Sequence, residues 1–165
     1  MNRYCIDSSA LFDMKRLFDK SGPFGDVWRV AEDLIIEGRL FAPLEVYREI
    51  KPGDGLSDWA DARKSMFVPP DGEQGIALRD IRKVFPNIDR PGKTTPHADP
   101  WMIALPLSLV RADPKLKIQV IANESLKGSG SDKIPDVCKF FKIACSKLTG
   151  LFEAEGVIFR AIKKP

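Results

Sequence analysis

A chain of 165 residues with 44% hydrophobic and 30% charged side chains suits one globular domain, residues 1–165, and excludes disordered, collagenous and coiled-coil readings. Its 26 Lys and Arg against 23 Asp and Glu leave a formal charge of +3, far from that of a protein that coats DNA by bulk charge. Three cysteines and a single histidine argue against a disulfide framework and against a Cys/His zinc site, so any metal here is held by oxygen.

In chain order, Arg3 to Asp7 reads as a short buried strand that ends on an acid. Ser8 and Ser9 offer N-caps for a helix over Ala10–Phe18, whose Leu11, Met14, Leu17 and Phe18 recur at helical steps. Ser21-Gly22-Pro23 breaks it. A second helix is predicted from about Phe24 to Glu37, with Gly38 as its stop. Leu40 to Ala42 is a strand candidate, and Pro43 suits the first turn of a helix carrying Val46, Glu49 and Ile50. Pro52 to Gly55 is a turn cluster, followed by helical pieces over Ser57–Met66 and Glu73–Val84 and a proline-rich loop over Phe85–Pro96.

Asp99-Pro100, an acid cap before a proline, opens a helix to about Val110 that Pro106 should kink. That apolar stretch is only about ten residues long and is too short to span a bilayer. With no apolar signal region at the N-terminus, the expectation is a soluble, reduced, cytoplasmic protein with no membrane partner. Lys117 to Ala122 reads as a strand, and Lys127 to Lys133 as a flexible loop whose lysines sit among Gly and Ser. Ile134-Pro135-Asp136 opens another helix. A short strand near Ile143-Ala144, a helix over Ser146–Glu155 ended by Gly156, and a last strand over Val157–Ile162 complete the pattern. Alternating strands and helices predict an α/β fold, a parallel sheet flanked by helices.

Ligands of such sheets bind beyond the carboxyl ends of the strands. The ionisable residues at those places are all acids: Asp7, Glu49, Asp99, Glu124 and Asp136. Carboxylates gathered in one place raise one another's pKa unless a cation sits among them. A hard divalent cation such as Mg²⁺ answers that need and bridges to phosphate oxygens. The chemistry these acids suggest is metal-assisted phosphodiester hydrolysis, in which the ion activates a water and neutralises the leaving oxygen. Other readings fit less well. Gly92-Lys93-Thr94 has the end of a phosphate-binding loop without the earlier glycine, because Asn87 stands there. A phosphatase with Asp7 as nucleophile wants a second acid at Ser9. His97 as a proton relay competes with a plain exposed loop histidine, and the cysteines read as buried apolar residues.

Five strings carry a family resemblance. Tyr4-Cys5-Ile6-Asp7-Ser8-Ser9-Ala10-Leu11 resembles the opening of a PIN domain, a hydrophobic strand ending in Asp before a hydroxyl residue. Pro43 to Ile50 is similar to the family's P-x-x-V-x-x-E-[LI] helix, and Ala98-Asp99-Pro100-Trp101-Met102-Ile103-Ala104 to its third element. Val120 to Glu124 stands where the family has a strand followed by T-x-D. Lys133-Ile134-Pro135-Asp136-Val137-Cys138 resembles the I-P-D-V-C signature of an uncharacterised PIN-like branch.

The resemblance implies an α/β/α sandwich with about four or five parallel strands. It implies a Mg²⁺- or Mn²⁺-dependent ribonuclease, with many small relatives being VapC-like toxins paired with an antitoxin. The partners it brings into view are an RNA substrate, an antitoxin protein and a second copy of the chain. Asp7, Glu49 and Asp99 match the first three metal-ligating, catalytic acids. Glu124 stands for the fourth Asp, Ala122 replaces the hydroxyl residue, and Asp136 is the alternative fourth acid. A degenerate PIN-like domain that binds RNA or protein without cutting is the rival reading.

Overall fold

The computed structural model describes residues 1–18, 25–53, 55–89, 97–124 and 132–158. Five strands, β1 (Asn2–Ile6), β2 (Leu40–Pro43), β3 (Phe67–Val68), β4 (Lys117–Ile121) and β5 (Ala144–Ser146), form one all-parallel sheet in the order β3-β2-β1-β4-β5. Tyr4, Cys5 and Ile6 on β1 and all four residues of β2 are buried, the near-continuous apolar run expected of strands covered on both faces. β1 pairs over its whole length with β4, Asn2 to Ile6 against Lys117 to Ile121.

The helices α1 (Ser8–Leu17) and α2 (Gly25–Ile36) connect β1 to β2, and α3 (Leu44–Glu49) with α4 (Ser57–Asp61) connects β2 to β3. The pair α5 (Gly72–Val84) and α6 (Asp99–Ala112) then crosses back over the sheet to β4. α7 (Ile134–Phe140) leads to β5, and α8 (Leu148–Ala154) follows it. The direction of winding therefore reverses between β1 and β4, which is where open parallel sheets place their ligands. This is the α/β sandwich the alternating pattern predicts. Among the described residues no helix is long and apolar enough to cross a membrane.

Several local expectations are corrected. Asp7 caps α1, accepting from the Ser9 amide, and Ser8 and Ser9 lie inside the helix. Asp99 is likewise the first residue of α6, with Ala98 in the cap position. α6 runs through Pro106 without interruption; it is buried on most sides and packs most extensively against α5. The helix predicted over Ser57–Met66 divides into α4 and a 3-10 turn at Lys64–Met66, and the Arg63 guanidinium takes the Trp59 carbonyl at 3.2 Å. β5 begins at Ala144 rather than Ile143. Val157 is not in a strand: Gly156 has φ +76°, and the Val157 amide bonds back to Phe152 O at 2.8 Å, so both residues close α8.

Gly38 does stop α2, with φ +67° and its amide on Ile35 O at 3.0 Å. The break at Ser21-Gly22-Pro23, the Gly92-Lys93-Thr94 string, most of the Lys127–Lys133 loop and positions 159–162 lie outside the described residues.

Candidate functional site

Asp7 follows β1 directly, and its amide is tied to Ile121 O of β4 at 2.9 Å. The residue is 5% exposed. Oδ2 accepts from the Ser9 amide at 3.2 Å and from the Ser9 hydroxyl at 2.5 Å. Glu49, the last residue of α3, joins three elements. Its Oε2 accepts from the Ser8 hydroxyl at 2.5 Å on α1, and its Oε1 from the Ala98 amide at 3.0 Å at the start of α6. That second bond brings the first turn of α6, and Asp99 with it, to the same edge.

The Asp7 carboxyl is raised from 3.8 to about 6, first by burial and then by the charges of Asp99 and Glu49, against the lowering effect of the Ser9 hydroxyl. Glu49, at the end of α3, and Asp99, at the start of α6, thus lie near enough to Asp7 for their charges to act on it beside the switch point.

Their donor chemistry, hard oxygens only, fits Mg²⁺ or Mn²⁺. Among the described residues no three His, Cys, Asp or Glu side chains form a ready metal cage. Asp7 Oδ2 and both oxygens of Glu49 accept from serine hydroxyls and amides. Mg²⁺ does not need a full protein cage, because it commonly keeps several waters and takes one or two carboxylates.

Glu124 has a different environment from the first three acids. Its Oε1 accepts from Lys133 Nζ at 2.6 Å and its Oε2 from the Ile134 amide at 3.3 Å, so it links the end of β4 to the start of α7. Asp136 lies half-buried in the first turn of α7.

Sequence reasoning missed two residues. Asn123, just past β4, donates from Nδ2 to Asp13 and accepts at Oδ1 from the Leu148 amide at 3.1 Å. Its own amide donates to the Ser9 hydroxyl at 3.4 Å, which in turn holds Asp7. The Asn123 amide, followed by Arg16 and against some burial, keeps the Asp13 carboxyl below its ordinary value. The available signal was an Asn directly beyond the strand that neighbours β1.

Glu45 is the second. It is 3% exposed, one turn before Glu49 on the same face of α3. One oxygen pairs with Arg48 at 3.3 Å, and Oε2 is buried with no hydrogen-bond partner among the described residues. Its signal was the Glu-to-Glu spacing of four within Pro43 to Ile50. His97, expected at the surface, is half-buried, and its Nε2 has no hydrogen-bond partner among the described residues. Cys5 and Cys138 are buried as expected, whereas Cys145 is half-buried.

A family model described as "Domain of unknown function (DUF4411)" matches residues 4–159. No curated protein and no solved structure matches the chain.

Proposed function

The chain belongs to the DUF4411 family, and we propose that it is a PIN-like, metal-dependent endoribonuclease. What supports this reading is that Glu49, bonded to the Ala98 amide, and Asp99 both bear electrostatically on the buried Asp7 at the carboxyl edge beside the β1–β4 switch point. Asp7, Glu49 and Asp99 would hold Mg²⁺ or Mn²⁺. Such an ion, when bound, supplies Lewis-acid activation of water and neutralises charge on a phosphodiester.

The chain's own residues set the stage. Ser9 and Ser8 fix the carboxylates of Asp7 and Glu49, and Asn123 fixes Ser9. The low exposure of Asp7 keeps bulk water from screening the site. No side chain is required as a covalent nucleophile. The same proposal covers a VapC-like toxin acting on RNA in the cytoplasm and inhibited by an antitoxin. Induced expression of the wild-type chain is then expected to arrest growth, and Asp7→Asn to relieve the arrest.

The direct test is cleavage of defined RNAs with Mn²⁺ and with EDTA. Asp7→Asn, Glu49→Gln and Asp99→Asn are each expected to lower Mn²⁺-dependent cleavage by at least about a hundred-fold, since several kcal/mol of charge stabilisation are lost. Undiminished cleavage in these variants would overturn the proposal. The second reading, a degenerate PIN-like module that binds RNA or protein without cutting, is favoured by the engagement of Glu124 with Lys133. It predicts no divalent-ion-dependent hydrolysis and no Mn²⁺ site by calorimetric titration.

A further inference from the structure

β4 ends between two places. Asn123 reaches the Ser9–Asp7 pair, while Ala122 before it and Glu124 after it line a cavity of about 470 Å³ on the β5 side. Ala122, Pro135 and Ile143 give the cavity an apolar wall, with Cys145 and Ser146 of β5 beside it. Lys139 and Lys147 also line it, and both side chains are exposed. The one acid there, Glu124, is paired with Lys133 at 2.6 Å, so the wall is not dominated by negative charge. β5 is two strands from β1, about 10 Å at the usual strand spacing.

We propose that this cavity is a nucleotide subsite for single-stranded RNA, its apolar wall taking a base and Lys139 and Lys147 the phosphates that flank it. The volume falls in the range of pockets that enclose small ligands, and an apolar wall with a few polar groups is their usual lining. Two mobile ammonium groups at a rim suit phosphates, which need charge more than fixed geometry. The inference rests on the ribonuclease reading and deepens it: the strand cut at Asp7, Glu49 and Asp99 continues along the same edge of the sheet.

Cys145 is a built-in reporter. It faces the cavity and is half-buried, while Cys5 and Cys138 are buried and serve as internal controls. A hydrogen bond from Cys138 holds its thiol below the ordinary value, against the opposing effect of burial.

The experiment follows alkylation of Cys145 by iodoacetamide, read by peptide mass, with and without a short oligo(A) or oligo(U). It is run on the wild-type chain in EDTA and on Asp99→Asn with Mn²⁺, and RNA binding is measured in parallel by fluorescence anisotropy. Saturating RNA is expected to slow Cys145 alkylation several-fold. The double variant Lys139→Glu, Lys147→Glu is expected to remove that protection and weaken RNA binding about tenfold at low salt. RNA that binds or is cut while Cys145 reacts at its free rate overturns the subsite and leaves the nuclease reading standing. Protection by inorganic phosphate equal to that by RNA also overturns it, because the cavity would then take an anion alone. RNA that neither binds nor is cut with Mn²⁺ overturns both.

Discussion

At Asp7, burial and two neighbouring carboxylates raise the acid from 3.8 to about 6. An acid whose folded value lies above its unfolded value favours folding when protonated. That contribution is complete below about 4 and is lost as pH rises through about 6. A shift of about two units corresponds to roughly 3 kcal/mol, so the metal-free fold carries a penalty of that order at neutral pH. Asp7→Asn is therefore expected to stabilise the chain in EDTA by about 3 kcal/mol at pH 7.5 and hardly at all at pH 3, as read by urea unfolding. Equal stability of the two proteins at pH 7.5 would show that Asp7 is not strained. Mn²⁺ should raise the Tm of the wild type and not that of the variant, since only a site that binds the folded chain stabilises it.

Among elements, the joint most open to test lies away from the acids. The fully buried Tyr4 of β1 donates its hydroxyl to Glu155 Oε1 at 2.5 Å, just beyond α8. Arg39, before β2, donates to Glu155 from one nitrogen and from Nε to Asn2 O at 2.9 Å. Burial pushes the Glu155 carboxyl up, but the bonds from Arg39 and Tyr4 outweigh it and hold it below its ordinary value. Its contribution is therefore present above the unfolded value of 4.5 and is lost as pH falls through the lower folded value. Glu155→Ala is expected to cost about 2 kcal/mol, because the Tyr4 hydroxyl and the Arg39 guanidinium both lose a charged acceptor. Chemical denaturation at pH 7 checks this, and the deficit should shrink in acid.

For the whole molecule, the strand order places β1 at the centre with partners on both sides, and β3 and β5 at the edges. Amides of Cys5 and Ile6 are expected to be among the slowest to exchange with solvent, and those of β3 and β5 to exchange earlier, by hydrogen-exchange mass spectrometry. Fast exchange at β1 would contradict this core. The same order explains why β3 escapes a reading by pattern. Two residues, Phe67 and Val68, carry no period, and their pairing with Ala42 and Pro43 is settled by the neighbouring strand. Likewise Val157 has strand-like chemistry, but Gly156 and the Phe152 carbonyl claim it for a helix end.

Local chemistry in the chain was enough to indicate alternating strands and helices, a buried β1 with Asp7 at its end, a helix carrying Glu49 after Pro43 (which caps it rather than lying in its first turn), and Asp99-Pro100 opening α6. Each rests on near-neighbour preferences, which a linear pattern records. Which acids meet is another matter. Glu49 reaches the Ala98 amide across 49 positions of sequence, and β4 lies beside β1 because the chain crosses back over the sheet. Glu124 has as good a position after its strand as Asp7, yet a nearby lysine and the first amide of α7 engage it. Glu45 stands one turn before Glu49 on α3, and only the packing of that helix shows that it lies buried. These outcomes depend on long-range packing and on competition among partners, and neither leaves a trace in spacing along the chain.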